Sequence, residues 1–132
     1  MKNIHVSAAA ILRGNEVFVT ERGYGEFKDQ WEFPGGKLEA GETPEEALVR
    51  EIEEEFATKV KPLAHLATIE HDYPAFHLTM ELFACEVVEG RLDLLEAEAA
   101  KWVHASELDD APFLPADKKG IPALKNFLAK WG

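Results

Sequence analysis

The segment from Thr43 to Phe56 constrains the fold most, because it carries helix-start signals and a burial stripe together. Thr43 is a good N-cap, Pro44 suits the first helical position, and Glu46 stands three residues after Thr43, as a capping box requires. Leu48, Ile52 and Phe56 then repeat every four residues, which predicts a face buried against another layer. Most of the remaining chain reads as strands. "HVSAAAILRGNEVFVTER" gives two apolar runs around a turn at Gly14 and Asn15, and "VKPLAHLATIEHDY" and "FHLTMELFACEVVEG" alternate on either side of a Tyr-Pro turn. "GYGEFKDQWEFPGGKLEAGE" is a Gly-rich loop holding a short aromatic strand, Trp31 to Phe33, and "KWVHASEL" contains another short strand. "LPADKKGIPALKNFLAKWG" contains an amphipathic helix that presents Leu124, Phe127, Leu128 and Trp131. Strands flanking two helices predict the α/β class: a central mixed sheet covered on both faces, an α/β/α sandwich.

At 132 residues, with 46% hydrophobic and 30% charged, the chain has the length and balance of one globular domain. No apolar run approaches the roughly 20 residues that span a bilayer. A net charge of −11 without a basic stripe argues against nucleic acid polymers as partners, and any polyanionic substrate would need recruited cations. Cys85 is alone, so no intrachain disulfide forms, and its strand-like surroundings read as a packed core thiol. No export signal is visible at the N-terminus, and a reducing cytoplasm is the expected location.

Against that background, "GGKLEAGETPEEALVREIEEEFAT", residues 35–58, holds eight glutamates beside Lys37 and Arg50. Like charges at helical spacing repel. Successive helix residues rotate by about 100°, which places Glu51, Glu54 and Glu55 on one face, away from Glu53 and from the apolar stripe. They also lie near the helix C-terminus, where the macrodipole disfavours negative charge. A Gly-Gly pair and a sharp "EAGE" turn precede the helix, so a loop carbonyl can close against this face. Hard divalent cations such as Mg²⁺ take oxygen ligands of this kind and complete their shells with water and phosphate oxygens. Arg50 can pair with Glu46 or Glu54 one turn away and fix carboxylate rotamers.

Gly36, five residues, Glu42, seven residues, Arg50-Glu51-Ile52, one residue, then Glu54-Glu55 resembles the signature box of the Nudix hydrolases at every charged position. "WEFPGGKLEAGETPEEALVRE" is similar to the MutT-like branch of that family. The resemblance implies a Nudix-type sandwich over residues 1–132. It also implies hydrolysis of nucleoside triphosphates to the monophosphate and pyrophosphate, supported by Mg²⁺, with Mn²⁺ as an alternative. Carried over by position, Glu51, Glu54, Glu55 and the carbonyl of Gly36 become metal ligands, with Glu51 taking the water proton and Arg50 ordering the carboxylates. A further ligand commonly comes from a loop before a "W-V" strand, where this chain offers Glu96 and Glu98. Arg22 and Lys37 fall where phosphate contacts are found. The box departs from its pattern at Ala57 and Thr58, where the family prefers Gly and an aliphatic residue. The expectation is a shifted helix terminus with an intact metal site.

In the MutT-like branch a polar residue in a segment like "LPAD" reads the base edge, and the matching residue is Asp117. An ionised Asp only accepts hydrogen bonds and suits cytosine N4; a protonated Asp can serve oxidised guanine; Asp117 can also cap the C-terminal helix. Tyr73, Phe76 and Phe83 are candidates for stacking on the base. The expected partner is thus a nucleoside triphosphate met by a monomer or homodimer, with cytidine-type substrates favoured over an 8-oxo-dGTP sanitising role. Two further readings stay open. One is an ADP-ribose or dinucleotide hydrolase, for which Pro74 is a marker; the other is a Nudix module that senses nucleotides without cleaving them.

Overall fold

The structure, a computed structural model, describes residues 2–22, 29–93 and 99–131. Two hairpins supply most of the sheet. β1 (Lys2–Arg13) and β2 (Glu16–Glu21) pair through Arg13 and Glu16 across a turn in which Gly14 takes φ 58°. A positive φ at the first central residue is what a tight hairpin of this hand requires, and glycine adopts it without cost. β5 (Lys59–Tyr73) and β6 (Phe76–Glu89) are antiparallel and close at Tyr73 and Phe76 around Pro74. β1 and β6 then run parallel from Lys2 and Phe76 onward, which needs a crossover. α1 (Pro44–Phe56) lies on that crossover.

The sheet forks, and the fork positions the site. β1 and β2 pair only at residues 11–13 and 16–18, then part. β3 (Trp31–Glu32) attaches to the far end of β2, and β4 (Gly35–Lys37) attaches to the first half of β1. β7 (Ala99–His104) covers the other edge of β2 along Glu16–Glu21. The sequence reading left Gly35 and Gly36 in a loop, since a strand this short and rich in glycine has no periodicity to detect. Close approach explains those glycines: a Cβ on Gly35 would strike the Ser7 backbone.

Both faces are covered, as the α/β/α expectation requires. On one, Leu48, Ile52 and Phe56 of α1 pack with Ala9, Ile11, Phe18, Val60, Phe83 and Cys85. On the other, α2 (Pro115–Lys118) and α3 (Ile121–Lys130) bring Ala116, Leu124 and Leu128 against Ala8, Ala10, Val17, Ile69 and Leu82. Full burial of each large apolar side chain stabilises by about 1.5–3 kcal/mol, whereas a like-charge i,i+4 pair costs only about 0.2–0.5 kcal/mol. The apolar stripe therefore decides that α1 forms, and the surplus glutamates are tolerated. Phe127 and Trp131, expected on the buried stripe of α3, are only half-buried and stack on each other.

Two expectations are corrected here. Phe83 is core: it is buried with Cys85 beneath α1, on the face opposite the α3 cluster. The end of α1 is not shifted either. Ala57 adopts the left-handed conformation itself, φ 50° and ψ 39°, and its N–H reaches Glu53 O at 3.0 Å. The strain costs Ala roughly 1–2 kcal/mol, which the complete burial of Phe56 offsets.

Candidate active site

α1 starts on a complete capping box: Glu46 N–H donates to Thr43 Oγ1 at 3.2 Å, and Thr43 N–H donates to the Glu46 carboxylate at 2.9 Å. Glu46 is thereby occupied, and the Glu46–Arg50 pairing offered by the sequence is replaced by others. Arg50 grips Glu42 with both prongs of its guanidinium, Nε at 2.7 Å and Nη2 at 2.9 Å. Its Nη1 reaches Glu51 at 3.0 Å and Glu54 at 3.2 Å, and Nη2 also donates to Lys37 O at 3.0 Å. One cation thus ties three carboxylates to the β4 backbone. The Arg50 hydrogen bond, and then the Glu39 N–H, hold the Glu42 carboxyl below its ordinary range. Chiefly through Glu42, the guanidinium is in turn held more firmly protonated.

A cleft of about 550 Å³ opens in the fork of the sheet beside this rim. Gly36, Lys37 and Glu55 line its charged end, and Arg22 lies along it, paired with Glu32 at 2.9 Å. Tyr73, Phe76, Leu78, Met80 and Phe33 give the other end an apolar lining. Asp117 is set into that lining, only 5% exposed, and accepts the Phe33 N–H at 2.9 Å. Burial, with Glu32 nearby adding to it, pushes its carboxyl up to about 7. Asp117 does not cap the C-terminal helix: it sits inside α2, and the N-cap of α3 is Gly120, with no side-chain capping bond. The Tyr73 hydroxyl accepts the Ala116 N–H at 3.2 Å, which holds the ring at the cleft wall.

The structure therefore brings Gly36, Lys37, Glu55, Arg22, Tyr73, Phe76 and Asp117 to one cleft, with Arg50, Glu51 and Glu54 on the adjoining helix face. Phe83 does not line it. Glu96 and Glu98 lie outside the described residues. Sequence reasoning missed Glu32 and Phe33, the partners of Arg22 and Asp117; Glu32 ends β3 and Phe33 follows it, in a segment too short to show alternation.

The donor set suits a hard divalent cation: carboxylates of one helix face, with a backbone carbonyl close by. Gly36 shows that closeness, since a Cβ there would land on the Glu51 carboxylate. Among the described residues no three His, Cys, Asp or Glu side chains form a ready-made metal cluster. Here the carboxylates gather on Arg50 instead.

Comparison with known proteins agrees with this geometry. The NUDIX domain family model matches residues 2–124. The chain is 34% identical over 128 residues to an 8-oxo-dGTP diphosphatase of Escherichia coli K12, covering 95% of this chain and 98% of the relative. It is 31% identical over 130 residues to a CTP pyrophosphohydrolase of the same organism, covering 98% and 94%. A solution structure of the E. coli ORF135 protein superposes with a TM-score of 0.82 at 30% identity, covering 99% of this chain and 94% of that one. The chain belongs to the Nudix hydrolase family. Enzymes of this family work with divalent metal ions, and among the described residues no helix is long and apolar enough to cross a membrane.

Proposed function

We propose that the protein is a nucleoside triphosphate pyrophosphohydrolase whose single domain, residues 1–132, acts in the cytoplasm on nucleotides carrying cytosine or an oxidised guanine. One observation carries the reading: a single cleft joins a carboxylate-bearing helix at one end to a buried acid, Asp117, at the other. Glu51, Glu54, Glu55 and the Gly36 carbonyl would hold the divalent ion, Mg²⁺ or Mn²⁺. When bound, such an ion neutralises phosphate charge and lowers the pKa of water. Arg50 keeps the Glu51 and Glu54 carboxylates in place. Glu51 takes the proton of the attacking water, whose oxygen forms the new bond to phosphorus as the bond to the pyrophosphate leaving group breaks. Arg22 and Lys37 meet the phosphates, while Tyr73 and Phe76 stack on the base.

Base choice turns on Asp117. Ionised, it accepts from an exocyclic amine such as cytosine N4; neutral, it donates to the O6 of a guanine-type base. A carboxyl pushed up to about 7 holds both states near neutrality, so the cleft serves both bases rather than cytosine alone. Relatives named for 8-oxo-dGTP and for CTP support that breadth. Product analysis tests the reaction: 8-oxo-dGTP, dGTP, CTP and dCTP are each incubated with the protein and Mg²⁺. Nucleoside monophosphate and pyrophosphate in equal amounts are expected. Nucleoside diphosphate with inorganic phosphate, or binding without turnover, would defeat the reading.

A further inference from the structure

The box departs from its family pattern at Ala57 and Thr58, and the structure gives the second departure a role. Thr58 is 1% exposed. Its hydroxyl donates to Phe56 O at 2.9 Å and accepts the Leu92 N–H at 2.8 Å. Phe56 O also accepts the Asp93 N–H at 3.0 Å. Gly90, at φ 110°, runs so close beneath that a Cβ on it would lie 2.8 Å from Ala57 O and from the Thr58 Cα. The segment 90–93 is therefore strapped across the C-terminus of α1, with Thr58 as the buckle.

An aliphatic residue at this position, as the family pattern has it, would fill the same space but leave the Leu92 N–H without its acceptor. Burying a hydroxyl contributes only modest net stability, about 0.5–1.5 kcal/mol per hydrogen bond, so stability alone is a weak reason for the threonine. Its placement supplies a stronger one. Glu54 and Glu55 sit in the last turn of α1, the turn that frays first in a helix without a C-terminal anchor and with no basic residue to offset the dipole.

We propose that Thr58 is a positioning residue, holding the last turn of α1 so that Glu54 and Glu55 are presented together to the divalent ion. The proposal rests on the reading of those glutamates as ion ligands. The threonine acts through the backbone at one remove, so its effect should fall below the roughly 10–100-fold of a direct partner of a ligand.

The test compares Thr58→Val, Thr58→Ser and wild type by calorimetric titration of Mg²⁺ into the protein alone and by the Mg²⁺ concentration giving half-maximal hydrolysis. Thr58→Val should weaken both by about three- to tenfold, with kcat at saturating Mg²⁺ within about twofold, and Thr58→Ser should restore both. Should Thr58→Val not fold, Gly90→Ala displaces the strap from its other side and should weaken Mg²⁺ binding likewise. Unchanged Mg²⁺ binding in a folded Thr58→Val or Gly90→Ala protein, whatever its Tm, overturns the proposal, as does a Thr58→Ser protein as weak as Thr58→Val. Wild type that binds no Mg²⁺ and hydrolyses without it overturns the reading of the glutamates, and this proposal with it.

Discussion

The α1 rim beside the cleft and the apolar end of the cleft treat a carboxyl group in opposite ways. On the α1 rim, Arg50 and a backbone N–H hold the Glu42 carboxyl below its usual range. In the apolar end, burial lifts Asp117 to about 7 although the Phe33 N–H opposes that shift. The same functional group is fixed as a charge on the rim and left able to change state in the apolar end. The rim suits chemistry on phosphates, which needs the same charges whatever the base; the apolar end suits recognition, which has to differ between bases.

The comparison breaks most easily at the charged end. Glu54→Gln keeps the size of the side chain and removes one charge that would hold the divalent ion, and should lower the rate of pyrophosphate release by about 10³-fold for every nucleotide; activity that survived undiminished would remove the catalytic role from this helix. Arg50→Lys comes next. It keeps the charge but loses the fork that holds Glu42, Glu51 and Glu54 at once, and should cost about 10–100-fold in kcat/KM.

At the apolar end the effects are smaller and should appear in KM. Phe76→Leu should raise KM by about tenfold, as lost base stacking does, whereas Phe83→Leu should lower Tm and leave KM alone, because Phe83 is core. The ends should also differ in pH response. Glu42, with its pKa lowered on folding, adds stability above its unfolded value that is lost as the pH falls through the folded one. Asp117 has a raised pKa, so its contribution is full below about 4 and lost as the pH rises through about 7. Thermal melts of Asp117→Asn should accordingly gain several degrees over wild type at pH 8 and nothing at pH 4. The smallest change is expected outside the cleft: Ala57→Gly relieves the left-handed helix end and should stabilise by about 1 kcal/mol without altering kcat.

The charged end was legible in the sequence because its parts lie within one helix and the turn before it. Helical rotation alone places Glu51, Glu54 and Glu55, and the capping box at Thr43 and Glu46 formed as read. The pairing was only half legible: Arg50 reaches Glu54 as read, but it takes Glu42, eight residues back, rather than the near Glu46, which the capping box has engaged. The apolar end comes from the residue after β3 and from β5, β6 and α2, and no local pattern links Phe33 to Asp117 across 84 positions. For the same reason an aromatic in an alternating strand could not be assigned to cleft or core. Tyr73 and Phe76 flank a turn at the cleft, while Phe83, on the same strand as Phe76, points to the other face at odd spacing.

The division of the cleft is tested most directly by kcat/KM for Asp117→Asn and wild type across CTP, dCTP, 8-oxo-dGTP and dGTP with Mg²⁺, at pH 6.0 and pH 8.5. Wild type should turn from oxidised guanine toward cytosine as the pH rises. Asp117→Asn should favour oxidised guanine by about tenfold at both pH values, since its amide offers a donor and an acceptor regardless of pH. A variant that slows all four nucleotides equally, or a wild-type ranking that does not move with pH, would contradict the assignment of base recognition to Asp117.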